Sequence, residues 1–191
     1  MKLQREAWGP TGDPACHLSL RALETAWAQF PADDPEQGRL ELICQRQPDG
    51  SRTTPDEGFL DQEQGLLGDG WYRRPPRDPE AQLAVMHHAV AKLLANGQPI
   101  THSGDNLYVQ LDISAANLPT GTRLQVGEAE VCVSPMPHNG CAKFHDRFGA
   151  DALRFVQASA TRHCNLRGIY WMVSRSGRVW QGAPIRVLER P

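Results

Sequence analysis

Residues 118–145 read LPTGTRLQVGEAEVCVSPMPHNGCAKFH, and this stretch decides the fold class. Thr122 to Val126 and Glu130 to Ser134 flank a Gly127-Glu128 turn, with Val131 and Val133 on one side of the second run and Cys132 on the other. Alternation with a period of two around a glycine turn is the signature of an antiparallel hairpin. Pro135 and Pro137 end the second strand, because proline has no N–H to give to a ladder. After His138-Asn139-Gly140 the pattern turns helical from Cys141 to Phe148, Gly149 punctuates it, and Ala150 to Thr161 continues helical.

On the C-terminal side, Gly168 to Ser174, Val179 to Gln181 and Ile185 to Leu188 read as strands, with a turn at Arg175-Ser176-Gly177. On the N-terminal side, Arg39 to Arg46, Leu83 to Met86 and Leu107 to Leu111 have strand character, and His87 to Ala95 forms a short helix that Asn96-Gly97 stops. Leu20, Leu23, Trp27 and Phe30 share one helix face within 18–30, and Pro31 ends that helix. Residues 51–80, punctuated by Gly58, Gly65, Gly68, Gly70 and four prolines, are expected to be a long irregular section, and such loops commonly serve function. Many short strands with close turns and few helices predict a mainly β, α+β chain rolled into a barrel-like sheet rather than a parallel α/β fold. Residues 1–57 are expected to supply a helix and strand packed onto, or part of, a main domain at 58–188.

A chain of 191 residues with 40% hydrophobic residues is long enough for one self-sufficient core. Its net charge of −2 hides two unlike parts: residues 1–140 hold 11 Lys/Arg and 19 Asp/Glu, and residues 141–191 hold 9 and 3. No apolar run approaches the roughly 20 residues that span a bilayer, and Met1 to Pro10 lacks a secretory pattern, so a cytoplasmic protein with no membrane partner is expected. A pI near 6.4 and the lack of any Lys/Arg run argue against specific nucleic-acid binding. The five cysteines are widely spaced with no C-x-x-C, which predicts free thiols.

Cys141 stands out among them. With Asn139 or Gly140 as the helix cap, Cys141 falls in the first turn, where unpaired N–H groups and the macrodipole favour an anion. Lys143, Arg147, His138 and His145 add cations nearby, so the sequence predicts a reactive, thiolate-biased cysteine able to carry sulfur, sense redox state or ligate a soft metal. Zinc is a competing reading, through H-x2-C-x3-H at His138, Cys141 and His145 with His163-Cys164 in support. The bases Lys143, Arg147, Arg154, Arg162 and Arg167 are candidates to hold a phosphate beside the thiol, and Arg147 and Arg154 would share a face on one continuous helix.

The ordered series GLLGDGW at 65–71, QLAVM at 82–86, GDNL at 104–107, LPTGTRLQVG at 118–127, PHNGCAKF at 137–144 and LRGIY at 166–170 resembles the MOSC domain family, over about residues 58–188. The chain departs from the family's common pattern at Asp78-Pro79-Glu80-Ala81-Gln82, where a basic motif is usual, and in the His-Asn-Gly before Cys141. The resemblance implies a barrel-like β fold and a cysteine, here Cys141, that carries sulfur or ligates molybdenum in a bound pterin cofactor, molybdopterin. By this resemblance the cofactor would be held by Asp69, Trp71 and Arg73, by Asp105 and Asn106, by His138 and Asn139, and by Lys143, Arg147 and Arg167. An oxidoreductase acting on N-hydroxylated substrates, fed by an electron-donor or sulfur-donor protein, is implied. A non-catalytic or redox-responsive thiol module that keeps the fold without the cofactor is the alternative.

Overall fold

The computed structural model describes residues 9–191; Met1–Trp8, read above for the absence of a secretory pattern, lie outside the described residues. Twelve strands occur among the described residues: β1 (Gln37–Ile43), β2 (Gln45–Arg46), β3 (Arg52–Thr53), β4 (Glu57–Asp61), β5 (Gly65–Leu66), β6 (Leu83–His87), β7 (Leu107–Gln110), β8 (Arg123–Val126), β9 (Ala129–Val133), β10 (Ile169–Arg175), β11 (Gly177–Trp180) and β12 (Pro184–Glu189). Three α-helices accompany them: α1 (Leu20–Trp27), α2 (His88–Ala95) and α3 (Ala142–Gln157).

Seven strands close into a barrel in the order β1-β12-β8-β9-β10-β6-β7, with β7 returning to β1. All neighbours are antiparallel except β6 and β7, which pair in parallel with Val85 opposite Leu107. The predicted hairpin is β8–β9, with Leu124 opposite Val131 and Val126 opposite Ala129. Its inward residues join Leu40, Val85, Val109, Trp171 and Ile185 in the barrel core. At roughly 1.5–3 kcal/mol for each fully buried large apolar side chain, this interior is the main stabilising term.

β6 and β7 are buried on both faces. Leu83 and Val85 point into the barrel, while Met86 and Tyr108 face a second apolar cluster with Leu23, Val90, Phe144, Phe148 and Phe155. That is why LAVM reads as an unbroken apolar run instead of alternating. The second cluster seats all three helices. α1 starts at Ser19, whose Oγ accepts from the Ala22 N–H at 3.3 Å, and is shorter than the apolar spacing over 18–30 implied. α2 stops where Asn96 turns left-handed, as its sequence predicted.

Residues 51–80 are less irregular than expected. β2 and β3 form a small hairpin, and β4 pairs with β5 and with β11, Phe59 lying opposite Arg178. A strand of the pattern EGFLD takes its identity from a partner more than 100 residues away, so nothing local announces it. Residues 67–78 remain free of strand and helix. No helix among the described residues is long and apolar enough to cross a membrane.

Candidate functional site

A cleft of about 230 Å³ opens at one end of the barrel, where the Ser103–Gly104 loop, the start of α3, the His138–Asn139 loop and the β2–β3 hairpin meet. Six cationic side chains line it: Arg46, Arg52, Arg74, Lys143, Arg147 and Arg167. Cys141, His138, Asn139, Phe144 and Tyr170 complete most of the wall.

Two buried carboxylates hold the arginines from behind. Asp105 is fully buried and takes Arg167 Nη1 on both oxygens, at 2.9 and 3.1 Å. Burial opposes its charge, but the Arg167 charge above all, with a Ser103 hydroxyl, outweighs burial and keeps the carboxyl below its ordinary range. Asp69 accepts the backbone N–H groups of Arg46 and Trp71 at 2.8 Å each and Arg46 Nε at 2.9 Å. Against the cost of burial, these bonds and the Arg46 charge hold Asp69 down to about 2. Asn106 is a cross-link: its Oδ1 accepts from the Ala84 N–H at 3.1 Å and from Arg46 at 3.4 Å. Arg73 donates to the carbonyls of Asp69 at 2.9 Å and Arg46 at 2.6 Å, stapling residues 68–74 to the hairpin.

Arg167 also lies over the Phe144 ring, 4.9 Å from its centroid. Gly168 follows it at φ +98, with the Val85 carbonyl oxygen 2.2 Å from where a Cβ would stand. Only glycine lets the chain pass β6 that closely, and this passage sets Arg167 in the cleft. His138 stacks on Tyr170 at 4.2 Å between ring centroids. Burial, with the Arg167 charge, pushes its pKa down to about 3 against the pull of Asp105. The imidazole is therefore neutral at pH 7, and its Nδ1, 3.7 Å from Asp105, has no hydrogen-bond partner among the described residues.

Arg147 is placed by a break in α3. Gly149 leaves helical angles (φ 87, ψ 169), and the Arg147 carbonyl accepts from His17 Nε2 at 3.2 Å and Gln98 Nε2 at 3.3 Å. Its guanidinium donates to the carbonyls of Pro10 and His102, at 3.1 and 2.9 Å. Arg147 is therefore buried while Arg154 is exposed beside Asp151, so the two do not share a working face. Burial, then the charges of neighbouring bases, lowers the pKa of Arg52, Arg147, Lys143 and His102. The cations of this cleft destabilise one another, and an anion bound among them would relieve that repulsion.

Cys141 is exposed at the mouth and is itself the N-cap of α3, so the helix starts later than the sequence reading, with its cap at Asn139 or Gly140, implied; its side chain makes no capping bond. Cys44, by contrast, is buried beneath the cleft, and burial pushes its thiol up to about 12. The zinc spacing is not realised: among the described residues no three His, Cys, Asp or Glu side chains gather as a metal site. His138 turns inward to Asp105, whereas His145 is half exposed beside Asp146 at 3.4 Å.

Of the residues singled out from sequence, Cys141, His138, Asn139, Lys143, Arg147 and Arg167 line the cleft. Asp69, Asp105 and Asn106 stand one layer behind it, and Trp71 and Arg73 lie outside its lining. Arg46, Arg52 and Arg74 were not anticipated; they come from the acidic part of the chain. For Arg46 and Arg52 the local sign was the Pro48-Asp49-Gly50 turn between them, which makes a hairpin with a base on each arm; Arg74, in the irregular segment 67–78, had none.

The family model described as MOSC domain matches residues 79–186, more than half of the chain. No curated protein matches the sequence. Among solved structures, the YuaD protein from Bacillus subtilis is similar at TM-score 0.59 and 17% identity, over 81% of this chain and 97% of that one. YiiM from Escherichia coli is similar at TM-score 0.53 and 21% identity, over 80% of this chain and 71% of that one. At these identities the likeness is one of fold.

Proposed function

The chain belongs to the MOSC domain family, and from that premise we propose that its cationic cleft binds a molybdenum–pterin cofactor and offers it the sulfur of Cys141. One observation carries this reading: six cationic side chains converge on a cleft that has an exposed cysteine at its mouth. The donor set fits such a group. Arginines make paired hydrogen bonds to phosphate oxygens, a thiolate is a soft-metal ligand, and the Nε of Arg52 is buried without a hydrogen-bond partner among the described residues.

In this reading Arg52 and Arg147 hold the phosphate end, because both guanidinium groups approach Gly104, where no side chain intervenes. Arg167, fixed by Asp105 through Nη1, presents its positive charge to the ring end. Phe144 and Tyr170 exclude water from the wall next to Cys141. The bound cofactor supplies two-electron redox chemistry, suited to reducing an N-hydroxylated substrate with electrons from a partner protein. Cys141 anchors the metal, or carries sulfur, through its Sγ.

Purification from a host that makes the cofactor, followed by molybdenum analysis and fluorescence of the oxidised pterin, tests the proposal. Near-stoichiometric metal and pterin are expected, with pterin lost in Arg52→Gln/Arg147→Gln and one sulfur ligand lost from the metal spectrum in Cys141→Ser. Absence of both metal and pterin from the wild-type protein overturns it.

A further inference from the structure

Behind the His138–Asn139 wall lies a second, smaller niche of about 90 Å³, bounded by Pro137, Gln157, Arg162, Asn165 and Gly168. It shares His138, Asn139 and Arg167 with the cationic cleft, so the two cavities are neighbours across one wall. Its polar groups are unbalanced. Arg162 is exposed at the rim, and its guanidinium makes no hydrogen bond or ion pair with any described residue. Arg167 is only 7% exposed, and while its Nη1 is taken by Asp105, its Nε has no partner. No acidic side chain lines the niche. The Asn165 and Gln157 amide nitrogens are already committed to the carbonyls of Ile113 and Gly140, at 2.8 and 3.1 Å.

A buried donor is costly to leave without an acceptor, and an oxygen of a ligand in the niche would supply one. At about 90 Å³ the niche is less than half the size of the neighbouring cleft of about 230 Å³, a space suited to a small planar anion such as a carboxylate. We propose that this niche is a carboxylate subsite: the molecule that reaches Cys141 carries a carboxylate, to which Arg162 donates at the rim and the Arg167 Nε–H donates from within. The link to Cys141 rests on the neighbouring cleft being the reaction site; carboxylate binding itself rests on the niche's own donors. Arg162 is then a specificity-determining residue that selects acids over their neutral amides.

Titration calorimetry of the full chain with benzoate, benzamide and inorganic phosphate tests this. Benzoate is expected to bind saturably and about tenfold or more tighter than benzamide, the preference that one charge-assisted contact supplies. Arg162→Gln, on an exposed side chain, should abolish that preference while leaving the melting temperature and the phosphate affinity unchanged. Saturating phosphate should not displace benzoate. Equal binding of benzoate and benzamide, an unaltered preference in Arg162→Gln, or displacement of benzoate by phosphate overturns the subsite. Failure of phosphate to bind a protein that still binds benzoate overturns the reading of the cleft and spares the niche.

Discussion

Arg167 and Asp105, 62 residues apart in sequence, form a buried two-pronged ion pair, with Nη1 at 2.9 and 3.1 Å from the carboxylate oxygens. The pair ties the loop before β7 to the residue that leads into β10, and it keeps one cation of the cleft in place. Breaking it leaves Arg167 charged and uncompensated. Asp105→Asn should therefore cost about 3–5 kcal/mol, measured by urea unfolding at pH 7. The double variant Asp105→Asn/Arg167→Met removes both charges and should lose less than Asp105→Asn alone. An equal or larger loss in the double variant would mean that the pair is not what holds the loop.

Acid sensitivity should begin well above the carboxylate range. His138 is held neutral in the folded protein, with a pKa of about 3, whereas an unfolded histidine titrates near 6.5. Its folded pKa is the lower one, so protons favour the unfolded chain: the contribution is complete above about pH 6.5 and is lost as pH falls toward 3, at no more than about 1.4 kcal/mol per pH unit. His88 and His102, also lowered chiefly by burial, act in the same direction. Unfolding free energies measured from pH 7.5 to 4.5 should slope downward, and His138→Phe should flatten part of that slope. A slope unchanged in His138→Phe would assign the sensitivity elsewhere.

The barrel was legible where pairing is local. The β8–β9 hairpin announces itself by valines spaced two apart around a glycine turn, and α2 by its Asn96-Gly97 stop. The β4–β11 pairing was not, because its partners are over 100 residues apart and β4 has no alternation of its own. The cleft divides in the same way. Cys141, Lys143 and His138 are neighbours in sequence, but Arg46, Arg52 and Arg74 join them only through the closed barrel, in which β1 pairs with both β7 and β12. The charge asymmetry of the chain therefore understates the cleft, half of whose cations come from the acidic part. The acidic and amide residues of the two glycine-rich motifs work one layer back, orienting arginines.

The kink in α3 gives a test that separates the placement of Arg147 from overall stability. At Gly149 φ is +87, and a Cβ would stand 2.7 Å from His17 Nδ1. Gly149→Ala should cost about 1–3 kcal/mol for the left-handed backbone, plus the displacement of His17 from the Arg147 carbonyl. His17→Ala keeps the backbone and removes only that hydrogen bond. It should weaken phosphate binding in the cleft with little loss of stability, while Gly149→Ala weakens both. Calorimetric phosphate affinity and urea midpoints, measured on both variants, decide between them; unchanged phosphate affinity in His17→Ala would show that the His17 bond to the Arg147 carbonyl is not what places the guanidinium.

Two cysteines near the cleft should differ in accessibility. Cys141 is exposed at the N-cap of α3, whereas Cys44 is fully buried with its thiol pushed up to about 12 by burial. The thiolate is the attacking species, so at pH 7.5 iodoacetamide should modify native protein at Cys141 and leave Cys44 untouched. Cys44 should react only on opening of the β1–β2 corner, and its labelling rate should track the unfolding equilibrium as urea is added. Peptide mass spectrometry after timed quenching reads both sites in one sample. Labelling of Cys44 at the rate of Cys141 in the absence of urea would contradict the burial of the layer that supports Arg46 and Arg52, and with it the preorganisation of the cleft.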